Sequence, residues 1–292
     1  MISLAPVLEF YISNVCNLAC RGCNRFNNYN FKGHLYWQDY STEIGQWSKK
    51  LNPRLITIIG GEPTLNPDIE TWAMNLRRLW PDTQIMIQTN GTYFKPIFLE
   101  FWKKYKVGFA VSLHDVKTAD SIMAEWVKHF WDFETFLQGF IFQESAIIKK
   151  EDHFVLSKSD KNESFMSCNV KYDHTIFKGK LYKCPTMALI PEFRNQFDLR
   201  LTDRQKELID SYMPLDSSCT QEQLEQFVLN KNTPIEQCEI CPSKLGWLTA
   251  YGSEDYNLPP PNSSGPELPN FNQINEKNLE KTSKKHLSNN SD

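Results

Sequence analysis

Apolar and polar positions follow two different periods along the first half of the chain. Short, nearly continuous apolar runs predict buried strands, and the four clearest cover residues 7–13, 55–59, 84–89 and 107–113. Between these runs, apolar residues recur every three or four positions, which predicts helices with one buried face. The clearest such face consists of Ile69, Trp72, Ala73, Leu76 and Leu79. Strands that alternate with helices predict an α/β fold with a parallel sheet. Right-handed crossovers would curl this sheet into a full or partial barrel.

The pattern is less regular after residue 132. Residues 135–142 and 153–156 are apolar enough to form further strands, which gives five or six strands before Cys168. Beyond Cys168, residues 173–177 and 181–185 flank a Lys-Gly-Lys turn. Two apolar runs around a turn with a central glycine predict a β-hairpin.

Composition and charge narrow the class of protein. The chain has 292 residues, of which 40% are hydrophobic, so it can bury a sizeable core. Its 32 Lys and Arg against 35 Asp and Glu give a net charge of −3, which predicts no nucleic-acid partner and no membrane-surface binding. It has neither a run of about 18 apolar residues nor an N-terminal signal peptide, so we expect a cytoplasmic protein. In that reducing compartment its eight cysteines favour metal binding over disulfides.

Three of these cysteines follow the first predicted strand. Cys16, Cys20 and Cys23 have the spacing C-x3-C-x2-C. Soft thiolates this close together can bind one metal centre, and ligation by sulfur alone favours zinc or an iron–sulfur cluster. The next cysteine is Cys168, so a fourth local ligand is missing. Three thiolates therefore predict a cubane cluster with one iron left open for chemistry.

Further candidate site residues follow the other strands. The second predicted strand ends in Gly60, Gly61, Glu62 and Pro63. Two glycines allow the backbone to approach a ligand closely, and a carboxylate accepts hydrogen bonds from an ammonium group. Asn90 follows the third strand and Ser112 ends the fourth. Ligand sites of parallel α/β sheets gather at these carboxyl ends, so the motifs predict one common site.

In this order, the motifs resemble the signature of radical S-adenosylmethionine (SAM) enzymes. The resemblance implies that Cys16, Cys20 and Cys23 hold a [4Fe–4S] cluster whose open iron binds SAM. One position departs from the family pattern, because the residue before the last cysteine is often aromatic there and is Gly22 here.

The resemblance also assigns roles to the other motifs. It implies that the segment Gly60-Gly61-Glu62-Pro63 binds SAM, with Glu62 holding the amino group. It implies contacts of Asn90 and Ser112 with SAM or substrate. Reductive cleavage of SAM in such enzymes gives a 5′-deoxyadenosyl radical that removes hydrogen from a substrate. The sequence identifies no further catalytic side chain, although His114 is a candidate for a polar or proton-transfer role.

A second cysteine set lies in the second half of the chain. Cys168 precedes the predicted hairpin, Cys184 follows it, and Cys238 and Cys241 form a C-x2-C pair. This arrangement resembles the twitch domain, the shorter relative of the SPASM extension behind many radical SAM cores. The resemblance implies that four thiolates fully ligate an auxiliary [4Fe–4S] cluster. A structural zinc site and unligated thiols are the alternatives, and Cys219 is left without an assigned role.

These observations predict three segments. Residues 1–160 form the radical SAM core, residues 161–250 form a small cysteine-rich domain of hairpin plus helix, and residues 251–292 form a disordered tail rich in Pro, Asn, Ser and Lys.

We expect a radical SAM enzyme that oxidises its substrate with the help of the auxiliary cluster. The expected partners are a small-molecule or peptide substrate and an electron donor such as flavodoxin or ferredoxin. The alternatives are a maturase-type enzyme that modifies a peptide, and a non-catalytic α/β protein stabilised by zinc. Fold alone does not decide among reactions.

Overall fold

The computed structural model describes residues 7–20, 23–92, 99–114, 116–130, 135–138, 141–143, 145–229, 232–243 and 245–247. The strands of the first half are β1 (Val7–Ser13), β2 (Leu55–Gly60), β3 (Gln84–Thr89), β4 (Val107–Ser112), β5 (Thr135–Gln138) and β6 (Ile141–Gln143). Those of the second half are β7 (Ile147–Lys149), β8 (Phe154–Leu156), β9 (Asp173–Phe177), β10 (Lys180–Tyr182), β11 (Leu199–Arg200) and β12 (Leu245–Trp247).

Eight α-helices occur in the described part of the chain. They are α1 (Trp37–Ser48), α2 (Ile69–Leu79), α3 (Leu99–Lys104), α4 (Val116–Phe130), α5 (Lys161–Ser167), α6 (Pro185–Gln196), α7 (Asp203–Asp210) and α8 (Gln221–Leu229). Short 3-10 helices cover Asn27–Tyr29, Pro63–Leu65 and Glu236–Ile240. Among the described residues, no helix is long and apolar enough to cross a membrane.

The main sheet confirms the predicted α/β fold with a parallel partial barrel. Its seven strands have the order β10-β9-β1-β2-β3-β4-β5, and all neighbours are parallel except the β9–β10 hairpin. Strands β1 to β5 follow each other across the sheet, separated by α1 to α4, as right-handed β-α-β units do. A sixth parallel strand is present, but it is β9, which joins the free edge of β1 instead of following β5.

Three details differ from the sequence-based expectation. The apolar run over residues 135–142 is two strands, of which β5 belongs to the main sheet and β6 pairs with β12. Strand β8 lies where it was expected, but it pairs with β7 and β11 in a separate three-stranded sheet. Helix α1 was expected only as one of the helices between strands, and its position was not singled out because only Ile44 and Trp47 of its twelve residues are buried.

The core lies on both faces of the main sheet, as is usual for parallel sheets. On the face covered by helices, Leu8, Phe10 and Ile12 are fully buried. The Phe10 ring meets the rings of Trp72 and Trp80 at centroid distances of 6.3 and 5.7 Å. The opposite face of β1 carries Glu9, a charged residue that is only 3% exposed. This second face forms the wall of the cavity described below.

An aromatic cluster connects the cysteine loop to the second half of the chain. Its members are Phe26, Tyr29, Phe31, Phe154, Phe193 and Phe197. The Phe193 ring, on α6, lies 5.8 Å from that of Phe26 and 5.0 Å from that of Phe154. Because Phe26 comes three residues after Cys23, this packing fixes the end of the cysteine loop against α6.

The predicted boundary near residue 160 does not coincide with a break in the sheet, because β9 and β10 lie beyond it and pair into the main sheet. The predicted tail, residues 251–292, lies outside the described residues.

Candidate functional site

Most of the sequence-predicted site residues of the first half meet at one cavity. It has a volume of about 610 Å³, within the range of ligand sites, and lies along the inner face of β1 to β4. Its wall includes these residues singled out from the sequence: Cys16, Cys20, Cys23, Gly60, Gly61, Asn90, Ser112 and His114. They converge because the carboxyl ends of neighbouring parallel strands share one edge of the sheet.

The three cysteines lie half-buried at the cavity wall. The Leu18 backbone N–H lies 3.4 Å from Cys16 Sγ, and Asn90 Nδ2 lies 3.9 Å from the same sulfur. Burial raises the pKa of Cys16 and of Cys20 to about 12. Such thiols keep their protons in the absence of metal, and a metal centre that binds them would displace those protons.

The two glycines after β2 pack against the cysteine loop. A Cβ on Gly60 would lie 2.5 Å from the Ser13 carbonyl oxygen, and one on Gly61 would lie 2.6 Å from the Val15 carbonyl oxygen. The Gly61 N–H donates to Ser13 O at 2.7 Å, and the Glu62 N–H donates to Val15 O at 2.8 Å. The glycines are therefore required for contact between two loops, a constraint separate from any approach to a ligand.

Glu62 lies behind the cavity wall. Its side chain is fully buried, and neither Glu62 nor the buried Pro63 is among the described residues that line the cavity. Glu62 Oε1 accepts from Thr64 N at 3.1 Å, Thr64 Oγ1 at 2.6 Å and Thr89 Oγ1 at 2.7 Å, while Oε2 accepts from Asn90 N at 2.7 Å. Burial raises the pKa of this carboxyl, and the four hydrogen bonds oppose the rise. Glu62 thus joins the ends of β2 and β3.

Asn90, Ser112 and His114 line the cavity from the position after β3, from β4 and from the loop after β4. Asn90 Nδ2 donates to Asn17 Oδ1 at 2.8 Å, which connects the end of β3 to the cysteine loop. Ser112 Oγ lies 3.5 Å from Gln88 Nε2. Burial lowers the pKa of His114 to about 4, so its imidazole is neutral at pH 7.

Sequence reasoning missed a charged group on the inner face of the sheet. Arg25 donates through both terminal nitrogens to Glu9, at 3.2 and 2.6 Å, and Thr175 Oγ1 donates to Glu9 Oε2 at 2.9 Å. Asp173, at the start of β9, lines the same cavity, and burial followed by the negative charge of Glu9 raises its pKa to about 7. Glu9 could have been noticed as the single charged residue within the apolar run Val7–Ser13. Nothing in the sequence placed Arg25 or Asp173 beside it.

The second cysteine set also meets at one place. Cys168, Cys184, Cys238 and Cys241 line a small cavity of about 40 Å³. Cys168 ends α5, Cys184 begins α6, and the other two belong to or follow the 3-10 helix Glu236–Ile240. Burial raises the pKa of Cys184 to about 12 and that of Cys168 to about 11.

Cys219 lies apart from both cavities among the described residues. Its carbonyl oxygen accepts from Lys50 Nζ at 2.6 Å, which is a structural contact.

The donor chemistry of both cysteine sets fits iron–sulfur clusters. Each set offers thiols as its metal ligands, with three in the first and four in the second. Within the described residues, no three His, Cys, Asp or Glu side chains are arranged to hold a single metal ion.

Comparison with known proteins gives a family for the first half of the chain. Residues 10–140 match the family model described as the radical SAM superfamily. No curated protein matches the sequence. This part of the chain is similar to radical SAM domains, and its mostly parallel sheet matches the partial β/α barrel of that family. The match implies an enzyme that uses a [4Fe–4S] cluster and SAM.

Several solved structures are similar to the chain. BtrN in complex with AdoMet and 2-DOIA is 16% identical, with 64% of this chain and 75% of that chain covered and a TM-score of 0.45. anSMEcpe with bound AdoMet is 15% identical, with 67% and 49% covered and a TM-score of 0.37. Streptococcus suis SuiB bound to S-adenosylmethionine is 25% identical, with 39% and 25% covered and a TM-score of 0.31.

Proposed function

We propose that this radical SAM domain holds its [4Fe–4S] cluster on Cys16, Cys20 and Cys23 and binds SAM in the adjoining cavity. The observation that carries the proposal is the convergence of the three thiols with the ends of β2, β3 and β4 on one cavity wall. When bound, the cluster and SAM supply hydrogen-atom abstraction by a radical derived from SAM. The protein contributes position, orientation and exclusion of water.

The residues around the thiols have separate tasks in this proposal. Gly60 and Gly61 expose backbone groups at the cavity wall and allow the β2 loop to lie against the cysteine loop. The Asn90 amide and the Ser112 hydroxyl offer hydrogen bonds to the carboxylate, amino or ribose groups of SAM, or to substrate. Glu62 acts through Asn90, whose backbone N–H it holds, and through the turn Pro63–Leu65, whose Thr64 it binds. We therefore infer that it also acts as a positioning residue, while its predicted contact with the amino group of SAM stays a prediction.

We also propose that Cys168, Cys184, Cys238 and Cys241 hold an auxiliary [4Fe–4S] cluster in a twitch-like segment. Four half-buried thiols around one small cavity support this assignment. Lys183 also lines that cavity, and its Nζ donates to Thr233 O at 2.6 Å. Four protein ligands would leave this cluster without a position for substrate, so an electron-transfer role, and hence a substrate oxidation, is the preferred reaction. A structural zinc at this second site is the alternative.

The proposals for the substrate, the electron donor and the compartment build on the two proposed cluster sites. The substrate is a small molecule or a peptide, since the cavity can hold either a small ligand or a side chain. A flavodoxin or ferredoxin would supply the electron. The cysteines form no disulfides, and the proposed clusters need reduced thiols as ligands, which favours a reducing compartment such as the cytoplasm.

Metal analysis tests both sites at once. Three anaerobically reconstituted proteins are compared: the wild type, the variant with Cys16, Cys20 and Cys23 changed to Ala, and the variant with Cys168, Cys184, Cys238 and Cys241 changed to Ala. We expect about eight irons per chain in the wild type and about four in each variant. Cys219→Ala is the matched control and should keep about eight irons.

The same proteins are then given SAM and a chemical reductant. We expect 5′-deoxyadenosine and methionine from the wild type and neither product from the variant of the first three cysteines. About four irons in the wild type and none after loss of the first set would remove the auxiliary cluster. Zinc in place of iron at both sites would overturn the whole proposal.

A further inference from the structure

The wall of the main cavity carries polar side chains from four neighbouring strands of the sheet. Each of the strands β1 to β4 places at least one polar side chain on it, and these are Glu9, Thr57, Gln84, Gln88 and Ser112. Burying polar groups costs free energy unless each finds a hydrogen-bonding partner. Such side chains can offer hydrogen bonds to the polar groups of a ligand, and the cavity continues from the cysteine loop toward the amino-terminal ends of the strands, where Val7 and Leu55 line it.

Most of the charge on this wall is already neutralised within the protein. Glu9 and Arg25 form a two-pronged ion pair whose side chains are 4% and 7% exposed. The Thr175 hydroxyl donates a further hydrogen bond to Glu9, and the two residues are paired in the register of β9 on β1. A pair of this geometry contributes no net charge to a ligand, and it is held in place from two sides.

Asp173 is an acidic residue of this wall that lies outside the Glu9–Arg25 ion pair. It pairs with Val7 in the register of β9 on β1, and it lines the cavity beside the Glu9–Arg25 pair. In the described part of the chain its carboxylate accepts no hydrogen bond and forms no ion pair. Burial and the nearby Glu9 both disfavour its ionised form, whereas Arg25 favours it. An incoming cation would relieve this unfavourable state.

We propose that Asp173 recognises the substrate of the proposed radical SAM reaction by binding a protonated amine. This inference rests on the proposed function, because it takes the cavity beside the cysteine loop to be the substrate site. The amine can belong to a small polar molecule or to a lysine side chain of a peptide. Both present an ammonium group that pairs with a carboxylate, and the neutralised Glu9–Arg25 pair beside it does not repel either one.

The test compares ligands that differ only in the amine. The small-molecule pair is D-glucosamine and D-glucose, and the peptide pair is acetyl-Ala-Lys-Ala-amide and its norleucine counterpart. Binding to the anaerobically reconstituted protein with SAM is measured by calorimetry. We expect the amine member of at least one pair to bind about tenfold more tightly than its neutral partner, and the pair that shows this preference identifies the source of the amine.

Variants of Asp173 decide whether that preference comes from this carboxylate. We expect Asp173→Asn and Asp173→Ser to abolish the preference for the amine, and Asp173→Glu to retain part of it. Asp203→Asn changes an exposed carboxylate on α7 and should leave the preference intact. Equal binding of both members of both pairs, or a preference that survives in Asp173→Asn and Asp173→Ser, would overturn the inference.

The proposed function is checked separately in the same preparations. Formation of 5′-deoxyadenosine by the wild type reports the radical SAM reaction, independently of any preference for an amine. A wild type that binds amines through Asp173 but never cleaves SAM would contradict the proposed function alone. A wild type that cleaves SAM but shows no Asp173-dependent preference would contradict the recognition role alone.

Discussion

At the scale of single residues, Glu62 shows that a motif can be placed correctly while the contacts of its side chain remain unpredicted. The sequence places it correctly at the end of β2, in the motif that resembles the SAM-binding segment. A motif does not show where a side chain points, and here the carboxylate accepts four hydrogen bonds, two from Thr64, one from Thr89 and one from Asn90. Its partners Thr89 and Asn90 come from β3 and the position after it, which are adjacent only in the folded sheet.

We expect Glu62→Gln to destabilise the protein. Glutamine replaces one carboxylate oxygen with an NH2 group, which only donates hydrogen bonds. This group would face either the backbone N–H of Asn90 or that of Thr64, and both of these are donors as well. Leaving such buried donors unsatisfied costs about 1–3 kcal/mol each. Chemical denaturation of the metal-free proteins, followed by tryptophan fluorescence, measures the loss. Glu151→Gln, at an exposed position, is the control, and a variant of Glu62 as stable as this control would contradict the network described above.

Asp173 gives a prediction about pH. Its pKa in the folded protein is raised from 3.8 to about 7, so between these values the folded state holds a proton that the unfolded state has lost. The stability that this group contributes is therefore present at low pH and is lost as the pH rises toward 7. We expect the stability of the wild type relative to Asp173→Asn to fall between about pH 4 and pH 7. Parallel stability curves for the two proteins, measured by urea denaturation at several pH values, would contradict the raised pKa.

At the scale of elements, the site is held together by contacts between loops. The β2 loop donates two backbone hydrogen bonds, from Gly61 and Glu62, to the end of β1 and the start of the cysteine loop. The close approach of the two segments requires glycine at position 60. The loop after β3 reaches the cysteine loop through Asn90 and Asn17. The arrangement of the thiols therefore depends on two neighbouring strand ends in addition to β1.

Two glycine substitutions test this dependence. We expect Gly60→Ala to destabilise the protein by about 1–3 kcal/mol, because its Cβ would meet the Ser13 backbone and one loop must shift. Gly45 in α1 has open space where an alanine Cβ would lie, so Gly45→Ala should stabilise by about 0.5–1 kcal/mol. Thermal unfolding measures both effects, and iron content after reconstitution should fall in Gly60→Ala only. Equal iron content in the two variants would show that the loop contact does not support the thiols.

The strands and helices also show which parts of the fold could be predicted from the sequence and which could not. Strands β1 to β4 are long apolar runs buried on both faces, and their bounds agree with the prediction to within one residue. The β9–β10 hairpin was predicted because its turn is local in sequence. The position of helix α1 was not singled out because it buries few of its residues, and β5 and β6 were merged because periodicity does not show which partner a strand pairs with.

At the scale of the molecule, the two cysteine sets belong to one connected structure. Strand β9 pairs with β1, which leads into the first set, and α6 begins directly after Cys184 of the second set. The aromatic cluster around Phe193 of α6 packs against the end of the cysteine loop at Phe26. No local pattern could predict these contacts, because β1 and β9 are more than 150 residues apart in sequence and their pairing depends on the whole fold.

This connection predicts that the first 160 residues do not form a stable core alone. A chain of residues 1–160 lacks β9 and β10, so β1 becomes an edge strand although six of its seven residues are buried in the full protein. An apolar edge of this kind pairs with other chains. We therefore expect the fragment to aggregate and to bind no iron at Cys16, Cys20 and Cys23.

A chain of residues 1–250 retains every described strand and is the matched control. It should load iron at both cysteine sets, with size-exclusion chromatography and iron analysis as the measurements. A monomeric 1–160 fragment that unfolds cooperatively and holds about four irons would show that the cluster loop needs only β1 to β5, and that β9 merely covers the edge of an independent domain.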